Sequence, residues 1–78
     1  MGQKIKQNAA GDIGKNIREI RTAKGIGQTE LVRRLELRGT PITRECLVKI
    51  ERGVQHLQVQ QLRAIRDELG TTYEELLK

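Results

Sequence analysis

The sequence predicts an all-α fold of five short helices, and three observations lead there. Apolar residues recur every three or four positions in successive blocks, the spacing that lines one side of a helix. The blocks are Ile13, Ile17 and Ile20; Leu31, Val32 and Leu35; Leu47 and Ile50; and Val59, Leu62, Ile65 and Leu69. Pro41 is the only proline, and no run of alternating β-branched residues marks a strand. The core material is aliphatic, with no Trp, no Phe and one Tyr, which suits short packed helices. At 78 residues the chain holds one compact domain with a thin core.

Residues 1–11 hold too little apolar material to bury and are expected to be a flexible segment, leaving 12–78 as the folded domain. The alternative is a basic arm whose Lys4 and Lys6 touch a minor groove or phosphates. Asp12 is placed to cap a first helix over 13–24, which Gly25 ends. Lys15, Arg18 and Lys24 can stay in solvent, whereas Arg21 borders the buried stripe. A second helix opens at Gln28 after Gly27 and reaches Leu37. Leu31, Val32 and Leu35 face inward, with Arg33 and Arg34 as surface charges. The segment Arg38-Gly-Thr-Pro41 breaks it, Gly39 permitting a positive φ and Pro41 fixing the next step. A third helix starts at Thr43, a good N-cap, and stops at Gly53. Val54-Gln-His-Leu57 is a connector, and a fourth helix spans 58–69 before Gly70. Thr72-Tyr-Glu-Glu75 has capping-box spacing and begins a fifth helix through Leu76 and Leu77.

Fifteen Lys and Arg against ten Asp and Glu give a net charge of +5, which favours a polyanion as partner. One Cys excludes an intramolecular disulfide framework, one Cys and one His cannot make a zinc site, and the same scarcity argues against Cys–His catalysis; no cofactor is expected. Cys46 reads as a small buried residue. No apolar stretch approaches membrane-spanning length, and no signal-peptide block opens the chain, so a cytoplasmic location without membrane contact is expected.

The third helix carries the chemistry. If 28–37 braces it through Leu47 and Ile50, then Arg44, Glu45, Val48 and Lys49 share the opposite surface. Arg and Lys there can donate to guanine edges in a major groove, and Glu45 can accept from cytosine. Glu45 and Lys49, four apart, can instead form a solvated ion pair.

The run from Ile13 to Leu77 resembles the Cro/C1-type (XRE) helix-turn-helix family, with its lambda-repressor-like fold. The matching pieces are Ile17-Arg-Glu-Ile-Arg21, Gly25-Ile-Gly-Gln-Thr-Glu-Leu31, Ile42-Thr-Arg44, Leu47-Val-Lys-Ile-Glu-Arg-Gly53 and Leu62-Arg-Ala-Ile-Arg-Asp-Glu-Leu-Gly70, followed by Glu75-Leu-Leu77. The resemblance implies that Gln28 contacts a phosphate with Thr29 nearby, although Gln28 also serves as a simple helix-start residue. It implies that Thr43 caps the recognition helix and touches the DNA backbone. Arg44, Glu45 and Lys49 would face bases, and Arg52 would hold a phosphate past the helix end. Arg21 and Glu51 match a pair that braces the first helix to the recognition helix. Two departures stand out. Val32 replaces the family's usual Ala, and Glu36-Leu-Arg-Gly-Thr-Pro41 resembles an extended connection found in one branch, which leaves a phosphate contact by Arg38 open.

The resemblance implies a sequence-specific regulator of bacterial or phage type, binding double-stranded DNA as a homodimer on a pseudo-palindromic operator. Tyr73, Leu76 and Leu77 are the candidate dimer contacts, with completion of the monomer core as their alternative role. A second reading is an antitoxin-like module that masks a protein partner and binds DNA secondarily. It needs an exposed apolar patch, for which Val54, Leu57 and the last turn are the candidates. RNA binding lacks aromatic stacking platforms. An enzyme lacks a nucleophile–base pair or carboxylates grouped in a pocket.

Overall fold

The computed structural model describes residues 7–78. Five helices follow one another: α1 Gln7–Ala23, α2 Gln28–Arg38, α3 Arg44–Glu51, α4 Val59–Leu69 and α5 Tyr73–Leu77. Of the segment expected to be flexible, residues 1–6 lie outside the described residues, as do Lys4 and Lys6 of the basic-arm alternative. From Gln7 the backbone is already helical, so Asp12 lies inside α1 rather than at its N-cap. Ala9 and Ala10 favour the extra turn, and no proline interrupts it, although Gly11 within it costs about 1 kcal/mol relative to Ala.

α1 lies against α3, α4 and α5, while α2 packs on α3 and α4. Ile13, Ile17, Leu31, Leu35, Leu47, Ile50, Leu57, Ile65, Leu69 and Leu76 are essentially fully buried where these helices meet. Each contributes about 1.5–3 kcal/mol of apolar burial. α1 and α3 touch backbone to backbone at Gly14, where a Cβ would lie 2.0 Å from the Ile50 carbonyl oxygen and 3.0 Å from that of Glu51. Only a residue without a side chain fits there.

The turn between α2 and α3 is built from its residue types. Gly39 adopts φ 93°, which an L side chain resists, and closes α2 with its N–H donating to the Glu36 carbonyl at 3.1 Å. The Thr40 N–H donates to the Leu35 carbonyl at 2.9 Å. Ile42 then drops into the core, and the Thr43 hydroxyl accepts from the Cys46 N–H at 3.0 Å to start α3. Arg38 is anchored on α4, donating from Nε to Glu68 at 2.6 Å and lying 3.6 Å from Asp67. Its guanidinium therefore ties the extended connection to the domain.

The connector into α4 departs from expectation. Leu57 is buried and Val59 is 37% exposed, the reverse of their expected places. Gln58 is the N-cap, so Leu57 and Leu62 occupy the two positions of a hydrophobic staple across the helix start, and both are buried. At the far end the Thr72 hydroxyl accepts from the Glu75 N–H at 3.2 Å and opens α5. Asn16, buried on α1, donates to the carbonyls of Leu76 at 2.9 Å and Lys78 at 3.1 Å. A polar residue within the Ile13–Ile17–Ile20 stripe thus closes the end of α5. Among the described residues no helix is long and apolar enough to cross a membrane.

Candidate nucleic-acid interface

α3 is an eight-residue helix with two unlike sides. Leu47 and Ile50 are the buried anchors, 0% and 1% exposed. Arg44, Glu45 and Lys49 are exposed on the other side, with Val48 half-buried at its edge. Thr43 at the N-cap and Arg52 at the C-cap are also exposed. The helix is held by its interior side and by its last residue, Glu51, leaving its N-terminal half free.

Glu51 is 7% exposed and draws three elements together. Arg21 of α1 meets it with a forked guanidinium, Nε donating to Oε2 at 2.7 Å and Nη2 to Oε1 at 3.0 Å. Nη1 of the same guanidinium donates to the Ile26 carbonyl at 2.8 Å, which fixes the loop between α1 and α2. Gln28, the first residue of α2, donates from Nε2 to Glu51 Oε1 at 3.1 Å. No buried side-chain nitrogen or oxygen among the described residues lacks a partner. The carboxylate and guanidinium therefore sit in a satisfied network, the condition under which a buried pair fixes geometry without leaving a bare charge.

Sequence reasoning did not place Gln28 in this network. One of its amide hydrogens goes to Glu51, and the other remains available to a second acceptor. Thr29, next along α2, is exposed. Asn16 and Gly14 were missed as well. Each interrupts an isoleucine stripe, and that interruption is the only signal the sequence offers.

The charges are distributed unevenly. Arg34 pairs with Glu30, Arg38 with Glu68 and Asp67, Arg66 with Asp67, and Lys78 with Glu75. Among the described residues no ion pair engages Arg44, Lys49 or Arg52. The Glu45–Lys49 pair that the spacing allows is not formed. Lys49 and Arg44 consequently present their full charge to solvent. Cys46, half-buried behind them, accepts from Gln55 Nε2 at 2.9 Å, and no group of His, Cys, Asp and Glu among the described residues is arranged to hold a metal.

The C-terminal candidates divide. Leu76 is 0% exposed and belongs to the monomer core, which corrects its assignment as a dimer contact. α5 is short, and its one inward position closes the core over α1. Tyr73 is half-buried with the Arg66 guanidinium 4.4 Å above its ring, and Leu77 is 53% exposed. The apolar patch required by a protein-masking module loses Leu57, leaving Val54 and Leu77 as exposed candidates.

No family model and no curated relative matches the chain. Solved structures do. The DNA-binding domain of BldD is 26% identical with a TM-score of 0.75, covering 95% of this chain and 100% of that one. The restriction-modification controller protein C.AhdI from Aeromonas hydrophila is 28% identical with a TM-score of 0.71, covering 86% and 94%. The controller protein C.Esp1396I, solved as a tetramer in complex with its natural 35 base-pair operator, shares the fold at 23% identity and a TM-score of 0.70, covering 90% and 96%.

Proposed function

We propose, on the premise that the chain is a helix-turn-helix domain of the Cro/C1 type, that it is a transcriptional regulator binding double-stranded DNA sequence-specifically in the cytoplasm. The observation that carries this reading is the unpaired, exposed Arg44 and Lys49 on a helix whose other side is locked by Leu47, Ile50 and Glu51. Such a helix fits the wide groove of B-DNA, where Arg and Lys donate to guanine O6 and N7. Glu45 on the same surface accepts from a cytosine amino group. Thr43, Thr29, Gln28 and Arg52 hold the flanking backbone, with Gln28 offering the amide hydrogen that Glu51 leaves free. Similarity to regulators and to an operator-bound controller supports this assignment.

One recognition helix reads few base pairs, so specificity calls for a homodimer on a pseudo-palindromic operator with half-sites about 34 Å apart. The test begins with selection from random duplexes at physiological salt. Arg44→Ala and Lys49→Ala should each weaken the selected duplex by about 5- to 150-fold while barely changing an unrelated one. Thermal melting should be unaltered. If both variants keep the parent's sequence preference, the reader surface is wrongly assigned.

A further inference from the structure

We propose that Arg18 and Arg52 form a two-arginine clamp for a single DNA phosphate, an inference resting on the DNA-binding reading above. Sequence analysis left Arg18 to solvent. On α1 it lies four residues after Gly14 and three before Arg21, so all three share the side of the helix that meets α3. Gly14 abuts the Ile50 carbonyl and Arg21 grips Glu51, which brings Arg18 alongside the C-terminal half of the recognition helix.

An open cleft lies at that junction, lined by Arg18, Arg21, Gln28, Val48, Glu51 and Arg52. Its charges resolve into two groups. Arg21 spends its donors on Glu51 and the Ile26 carbonyl, and both carboxylate oxygens of Glu51 are taken, so this pair is internally neutral. Arg18 and Arg52 remain, both exposed and neither engaged in an ion pair. Two uncompensated guanidinium groups on opposite elements of one cleft form a site for an anion with several acceptor oxygens. Arg44 and Val48 are four apart on α3 and Arg52, at its C-cap in right-handed helical conformation, is four further on, so the stripe bearing the reader's Arg44 runs into this cleft. A phosphate bordering the groove occupied by α3 is the anion placed to enter it.

Affinity as a function of salt tests the clamp, using the selected duplex, an unrelated duplex, and the variants Arg18→Gln, Arg52→Gln and the double substitution. Each single variant should weaken both duplexes by a similar factor, roughly tenfold, and lower the slope of log affinity against log salt by about one. Sequence preference and melting temperature should be retained, because neither side chain is buried or paired. The double variant should lose less than the product of the singles, since the two share one phosphate. Arg18→Lys should recover part of the affinity by restoring charge without the fork. If Arg18→Gln matches the parent in affinity and slope while the parent still prefers its selected duplex, the clamp is refuted and the DNA-binding reading survives. A parent that binds no duplex preferentially overturns both.

Discussion

Glu51 accepts hydrogen bonds from two side chains, Arg21 and Gln28, and it is almost completely shielded from water. A carboxylate in that position reads no base. Its value is positional, because it fixes the end of α3 to α1 and to the start of α2 at once. Removing it would leave the guanidinium of Arg21, a residue only 8% exposed, without its counter-charge. Glu51→Ala is therefore expected to destabilise the domain by about 3–5 kcal/mol. That is a large part of the roughly 5–15 kcal/mol that holds a small domain folded. Urea or thermal unfolding measures it, and a melting temperature equal to the parent's would remove the brace from the account. The Arg21–Glu51 match was legible in the sequence because both residues sit in recognisable pieces of the helix-turn-helix pattern. The roles of Gln28 and Asn16 were not. Their partners stand 23 and 60 positions away, and a hydrogen bond across such a distance leaves no local pattern.

The helices themselves were legible because burial of one side imposes a period, and caps such as Thr43 and Thr72 signal where a period begins. What periodicity does not reveal is how closely two helices approach. The staple of Leu57 and Leu62 is one example, since reading α4 by its stripe alone put Val59 inside. Gly14 is the sharper one. In an isolated helix, alanine is favoured over glycine by about 1 kcal/mol. Here the added methyl would sit 2.0 Å from the Ile50 carbonyl oxygen, which belongs to the backbone of α3 and cannot rotate away. The two helices would have to separate, opening the Leu47 and Ile50 contacts. Gly14→Ala should thus reverse the helix-propensity expectation and lower stability by about 1–3 kcal/mol. Urea midpoints decide the sign. A variant more stable than the parent would mean that α1 and α3 are farther apart than described.

For the molecule as a whole, the net charge of +5 draws it toward a polyanion, but attraction alone does not select a site. On the homodimer reading proposed above, selection comes from two recognition helices held at a fixed separation. The domain measures 28 × 25 × 21 Å, so two copies side by side are commensurate with half-sites one DNA turn, about 34 Å, apart. The contact proposed between them lies on α5. Leu76 is excluded because the core already claims it, and Tyr73 is half-buried against that core, so Leu77, 53% exposed, is the residue of α5 that offers an outer apolar surface. In a two-fold interface a residue near the axis faces its own copy. Leu77→Glu would then oppose two carboxylates in place of two leucines, whereas the monomer loses nothing it had buried in its core. The expected outcome is a monomer in sedimentation at concentrations where the parent is a dimer. Cooperative binding to the full operator should be lost, with half-site affinity and dilute melting temperature unchanged. Leu76→Ala should behave oppositely, costing about 2–5 kcal/mol of folding stability by opening the core. A Leu77→Glu protein that still sediments as the parent's dimer would move the interface off α5. The exposed Leu37 at the end of α2 would then be the next surface to substitute.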